Sequence, residues 1–246
     1  MVWARGWLIV MLAVVASSAA CSDSTADGPD SGAERQAGQI VADAAVAMAD
    51  VESAAFTIEQ SGATLFIDDG DQLGFQSAVG RYASPSSAEA IISVSARGFA
   101  TQVGAVAIDG TIWFTNPLTG AWAEAPESFT LDPTSLFDDD AGFPALLNEA
   151  TTTAELIEDA PAEDDTDLGR HHHVRTAVSA QRVAALTGGL IAEETDVDLW
   201  IDTDTNRMVE ARFDLQIDAE TSSWRLTFDD YDAEVDIIAP ELGIEG

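Results

Sequence analysis

From Asp196 to Ile217 the chain is patterned for two strands and a turn. Val197, Leu199 and Ile201 fall on one face of an extended strand, and Val209, Ala211, Phe213, Leu215 and Ile217 repeat the pattern on the return. The other face carries Asp196, Asp198, Asp202, Glu210, Arg212, Asp214 and Gln216, with Trp200 as its one apolar member. Successive strand side chains point to opposite faces, so a period of two marks a half-buried strand. Thr203-Asp204-Thr205-Asn206 supplies residues that tolerate turn angles and bond their own backbone. A hairpin alone is marginal in water, so this one must belong to a larger antiparallel sheet with a wet side and an apolar side. What the apolar side covers decides the function.

The rest of the chain repeats this idiom. Short apolar alternations predict strands over 54–61, 64–67, 74–83, 88–96, 100–108, 111–115, 152–158, 170–178 and 222–229, with one more expected in the tail after 230. Asp109-Gly110 joins two of them as a two-residue hairpin signal. Helical spacing predicts an Ala-rich helix over 35–51 and short helices over 143–150 and 179–186, while Asp132-Pro133 reads as a cap and first turn. Residues 116–126 read as a loop, and the acidic 158–167 as a solvated excursion.

Many strands in hairpin order with a few short helices imply an α+β domain, largely antiparallel. The helices offer mostly small residues, whereas the strands offer Phe, Ile, Leu, Val and Trp. Periodicity leaves two outcomes open: a curved sheet whose apolar cavity suits an apolar ligand, or a fully packed core. The candidates for lining a cavity are Phe56, Ile58, Ile92, Val94, Val106, Ile108, Phe213, Leu215, Trp224 and Leu226.

Composition narrows the partners. The 246 residues carry a formal net charge of −34, and every basic residue is Arg. Nucleic acid is excluded as a partner, because binding it needs a cationic footprint. Contact of the body with an anionic membrane surface is disfavoured for the same reason. The 46% hydrophobic content is enough for a packed core.

The first twenty residues have the order of a secretory leader: Arg5, the apolar run Trp7 to Ala16, then small residues up to Ala20. The run is shorter than the ~20 residues that span a bilayer. Cys21 is the only cysteine, and an unpaired exported thiol needs a role. Ser18-Ala19-Ala20-Cys21 resembles a bacterial lipobox, with Ser18 where Leu is preferred. Ordinary cleavage after Ala20 is also compatible with these small residues. Lipid attachment at Cys21 would anchor the chain, since stable attachment needs about two acyl chains and a diacylglycerol thioether supplies them. Residues 21–34 are acidic and lack apolar periodicity, as expected of a disordered tether.

Five segments then align with a known family: VESAAFTIEQSG at 51–62, VGRYASP at 79–85, VAIDGTIWF at 106–114 followed by Trp122, LDPTSLFDDDAGFPALLNEA at 131–150, and DLWIDTDTNRMVEARFDL at 198–215. In order and spacing they resemble the actinobacterial LppX/LprG lipoproteins from about 37 to 240. The resemblance implies a large curved antiparallel half-barrel sheet, with a few short helices on its concave side enclosing an apolar cavity. It implies a signal peptide at 1–20, the tether at 21–34, a lipid-binding domain at 35–240 and a tail at 241–246. Such a protein is exported, anchored to the outer face of the cytoplasmic membrane through Cys21, and binds acylated lipids or glycolipids for passage through the envelope. A membrane lipid exporter is a candidate partner. The alternative is an envelope-sensing or structural module of the same fold without lipid transport.

Other constellations carry less. His171 and His173 share a strand face but lack converging ligands for a metal. Asp202, Asp204 and Asn206 echo a calcium loop, yet Arg207 and Phe213 stand where that loop needs Gly and Glu. There is no G-x-S-x-G elbow, and the three histidines form one run, so neither catalysis nor a metal or cofactor is expected.

Overall fold

The computed structural model describes residues 29–242 apart from 68, 69, 71, 97, 118, 126–131, 160–170, 188, 190 and 218. The leader, Cys21 and the first part of the tether lie outside the described residues. In chain order the elements are α1 (Pro29–Ala49), β1 (Ser53–Gly62), β2 (Leu73–Ala83), β3 (Ser87–Ala96), β4 (Phe99–Ile108), β5 (Thr111–Thr115) and β6 (Trp122–Glu124). A 3₁₀ turn (Pro133–Phe137) and α2 (Phe143–Ala150) follow, then β7 (Glu155–Asp159), β8 (His171–Val178), α3 (Ala180–Leu186), β9 (Thr195–Asp202), β10 (Met208–Ile217) and β11 (Glu220–Asp229).

All eleven strands form one open antiparallel sheet in the order β6-β5-β4-β3-β2-β1-β11-β10-β9-β8-β7. It is two meanders, β1 to β6 and β7 to β11, joined where β1 pairs with β11 from Ala55↔Asp229 to Gly62↔Ser222. The chain therefore leaves the sheet at one edge, β6, and must re-enter at the other, β7. That connection carries the 3₁₀ turn and α2 across the inner face. Asp132 starts the turn by accepting from the Thr134 N–H at 2.9 Å, and Pro133 follows at the first helical position. Leu136, Phe137, Phe143, Leu146 and Leu147 are buried there. The α1 stripe Ala37, Ile40, Val41, Ala44, Ala45 and Met48 joins the same core.

The expected hairpin forms β9 and β10, with Leu199↔Ala211 and Val197↔Phe213 in register. A bulge between Met208 and Glu210 makes buried Met208, and not Val209, continue the inner face opposite Ile201. Trp200 lies on the outer face, as the alternation requires, and is only 7% exposed. His173 stacks on it at 4.4 Å, and the Arg212 guanidinium lies 4.8 Å from its ring centroid. Asp109-Gly110 forms the predicted tight turn, both residues at positive φ.

Several boundaries differ from the sequence reading. Residues 64–67 keep only a bridge, Phe66↔Gly74, because β1 breaks at Gly62, whose φ is +84. The loop read over 116–126 contains β6. Residues 152–154 form a turn behind α2. Among the described residues, the tail past Asp229 forms no strand. It is clamped by side chains: Asp232 accepts from the Glu52 N–H at 3.0 Å, and Ser53 donates to the Ala233 carbonyl at 2.5 Å. Helix α1 begins at Pro29, so residues 29–34, read as tether, are helical.

The β9–β10 turn hangs on one carboxylate. Asp202 Oδ1 accepts from the Asp204 N–H at 3.0 Å, the Thr205 N–H at 2.7 Å and the Thr205 hydroxyl at 2.8 Å. Burial alone would raise the Asp202 pKa, but these bonds and nearby His171 outweigh it and hold the pKa below its ordinary value. Asp202→Ala is expected to cost about 1–3 kcal/mol. A group whose folded pKa is depressed stabilises above its unfolded pKa and loses that contribution as pH falls through the folded one. The gap between wild type and variant, read by urea unfolding, should therefore be full at neutral pH and shrink below about 3.9.

Candidate ligand-binding site

The upper end of the sheet is where β1, β3, β8 and β10 finish and β2, β4, β9 and β11 begin; the lower end holds the β2–β3, β4–β5 and β9–β10 turns. The inner face is packed differently at the two ends. At the lower end Tyr82 stacks on Phe137 at 4.2 Å, and Phe228 meets Phe137 and Phe143 edge-on at 5.8 and 5.3 Å. Phe56 lies across Gly80 so closely that a Cβ there would be 2.4 Å from its ring. Tyr231 closes this end, donating to the Met208 carbonyl beside Met48. Burial raises the pKa of its hydroxyl well above the ordinary value. This half is a filled core.

At the upper end the sheet and the helices leave a space between them. Ile58, Phe75, Val197, Ala211, Phe213, Trp224 and Leu226 form the sheet wall of a cavity of about 150 Å³. Leu136, Phe143, Leu146, Val183 and Leu186 roof it, and Leu65, Ile67, Val178, Thr187, Ile191 and Thr195 complete its lining. Trp224 is sandwiched by Phe75 at 5.2 Å and Phe213 at 6.0 Å, and its indole N–H is satisfied by the Ser222 hydroxyl at 3.1 Å. Besides the Trp224 indole, the polar side chains in the lining, among the described residues, belong to Thr187 and Thr195. Thr187 spends its hydroxyl on the Val183 and Ile191 carbonyls at 2.8 and 3.2 Å. Such a lining can hold a hydrocarbon, each CH₂ contributing about 0.8 kcal/mol, and penalises any charged group.

The cavity is small beside the about 300–1,000 Å³ of typical ligand pockets. The part of the roof with least to hold it is α3, in which only Val183 is buried. It is latched by Arg182, which pairs with Glu149 on α2 and donates to the Asp140 carbonyl.

Register sorts the ten candidates. Ile58, Phe213, Trp224 and Leu226 line the cavity. Phe56 is in the filled half, and Leu215 is buried in the main core beside Ser222. Ile92 packs against the core from β3, and fully buried Val94 pairs with Phe75 behind the wall. Val106 and Ile108 are on the other side of the sheet. Val106 is paired with Glu89 and Trp113, in line with the exposed Arg81–Glu89 pair. Alternation alone fixes which residues share a face within a strand; it does not say which face turns inward. Roof and rim residues such as Leu136, Val183 and Ile191 escaped the sequence reading because helix and loop positions carry no period-2 mark.

A larger hollow of about 980 Å³ lies on the outer face, where Glu59, Arg225, Arg212, Asp198 and Arg175 line up across five strands. Arg175 grips Asp198 through two bonds of 3.1 and 3.0 Å. Glu210, nearly buried, pairs with Arg212 and Arg225. The hollow is open, polar and committed to its own ion pairs, so it is no place for an apolar ligand. His171 and His173 share this face, and no metal-binding cluster occurs among the described residues.

Comparison with known proteins agrees with this architecture. The family model of the LppX_LprAFG lipoproteins matches residues 36–237. The structure is similar to that of LprF from Mycobacterium bovis, with a TM-score of 0.63 and 16% identity over 85% of this chain and 98% of that one. It is also similar to the Mycobacterium tuberculosis lipoprotein LppX, with a TM-score of 0.59 and 15% identity over 82% and 98%. A search of curated protein sequences finds no match.

Filling the cavity should separate it from the core. Ala211→Leu is expected to lower the capacity for a fluorescent fatty acid while costing less than the about 1–3 kcal/mol of overpacking a filled core. Phe228→Ala in the filled half should cost about 3–5 kcal/mol. Val106→Trp, on the outer face, should leave capacity unchanged. Fluorescence titration and urea unfolding read all three.

Proposed function

The chain belongs to the LppX_LprAFG lipoprotein family, and from that premise we propose that it binds the acyl chains of a lipid or glycolipid in the upper cavity and carries them from the cytoplasmic membrane through the envelope. The observation that carries the reading is a site whose side chains bear no charge, in a chain with a net charge of −34. Acids are spread over the surface but kept from this wall, as solubility and hydrocarbon binding together require. In this reading residues 1–20 are a leader, Cys21 bears the lipid that anchors the protein, and the ligand enters as α3 moves off the roof. Ile58, Phe213, Trp224 and Leu226 bear on the acyl chain. A membrane lipid exporter is the proposed donor. Protein groups for bond-making chemistry do not converge among the residues that line the cavity, so the ligand leaves as it entered.

The small volume supports a second reading, a sensing or structural module that transports nothing. One experiment separates them. Native mass spectrometry of the protein purified from its own membranes, followed by lipid extraction, is expected to find acylated lipid in stoichiometric amount; a lipid-free protein would refute the carrier. Cys21→Ala should move the protein from the membrane fraction to the soluble one. Arg182→Ala should speed uptake of a fluorescent fatty acid several-fold in stopped flow, because it frees α3.

A further inference from the structure

We infer that the upper end of the sheet docks on the bilayer, with Phe66 and Phe99 entering its uncharged interfacial layer and bringing the cavity mouth against the lipid. The inference rests on the lipid-binding reading and adds to it the face and the residues that meet the membrane. Phe99 is 78% exposed and Phe66 39%, and among the described residues these are the exposed phenylalanines. Both belong to the cavity end. Phe66 lies between Leu65 and Ile67, which line the cavity. Phe99 sits at the β3–β4 tip, opposite Ala96, two strands from Phe75 and so roughly 10 Å from the cavity wall. Aromatic rings left in water at the mouth of an apolar site lose that cost when they enter a membrane interface.

The course of α1 selects the bilayer as the occupant. Gly38 passes so close to Thr151, beside the upper end of β7, that a Cβ would lie 2.5 Å from its carbonyl oxygen. Met48 lies at the lower end, with its sulfur 3.4 Å from the Tyr231 hydroxyl. The helix therefore runs downward, and its start at Pro29 is nine residues, roughly 14 Å, further up than Gly38. Seven residues separate Pro29 from Cys21, a reach of at most about 28 Å. An anchor at Cys21 thus holds the end that bears Phe66 and Phe99 toward the membrane. Exposed Glu193 and Glu194, between α3 and β9, and exposed Glu220, at the start of β11, lie at this end, so the docking favours an uncharged surface over an anionic one.

The test uses the chain from residue 21 with Cys21→Ser, held by an N-terminal hexahistidine to nickel-chelating lipid in phosphatidylcholine vesicles. This makes it independent of acylation. An environment-sensitive dye is placed on Phe99→Cys or, as control, on Val79→Cys, which stands 57% exposed on the outer face. The expected result is a blue shift and quenching by brominated lipid at 99 and neither at 79, weakened when anionic lipid is added at low salt. A dye that stays in water at 99, or equal quenching at both positions, overturns the inference. Phe66→Ser with Phe99→Ser should slow uptake of a pyrene-labelled fatty acid from vesicles several-fold while leaving uptake from detergent solution unchanged. If the unmodified protein takes up no probe from either source, the lipid-binding reading fails, and dye burial at 99 still decides the docking.

Discussion

The pairing of β1 with β11 holds the two halves of the molecule together. Residues 55–62 find partners at 222–229, almost the whole length of the domain away. Without that seam the chain is two meanders, each with an apolar face and nothing to cover it. With it they become one continuous sheet, and the connection from β6 to β7 carries the 3₁₀ turn and α2 over its inner face. The helices lie on the inner face because their apolar residues, such as Val41 and Met48 of α1 and Leu146 and Leu147 of α2, are buried there. They fill one end of it because the aromatic residues of that crossing, Phe137 and Phe143, meet Tyr82 and Phe228.

The outer face solves a different problem. A curved sheet with water on one side needs that side to be polar, yet 44 acids against 10 arginines give mostly repulsion to share out. The arginines that reach this face are used at high local density: Arg175, Arg212 and Arg225 hold Asp198 and Glu210, while Arg212 also covers Trp200. The exposed Arg175–Asp198 pair is worth little singly, whereas Glu210 is buried and needs its two arginine partners. Arg212 and Arg225 stand directly opposite each other on β10 and β11, and Glu210, paired with both, offsets that like-charge contact.

Much of this was legible from residue order. Period-2 alternation located β9, β10 and β11 and put Trp200 on the wet side; the Asp109-Gly110 turn and the 143–150 helix were visible as local chemistry. The open choice between cavity and packed core had no single answer, because the lower end is packed and the upper end is hollow. That division depends on how far the crossing helices reach, a tertiary fact. The same limit explains Val106 and Ile108: their strand was found, but which face was inner depends on the register of β3 with β4. Strand β6 was missed because three residues, Trp122 to Glu124, hold too little alternation to read.

The cavity wall straddles the seam, with Ile58 on β1 facing Leu226 on β11 in direct register. The last strand of the fold thus supplies Trp224 and Leu226 to the cavity wall. In the order of synthesis the first meander is complete long before its partner, and the cavity wall stays unfinished until Glu220 to Asp229 pairs with β1. A chain that lacks this last strand has no completed cavity wall. Competence to bind and completion of the fold become the same event, timed by the C-terminal strand.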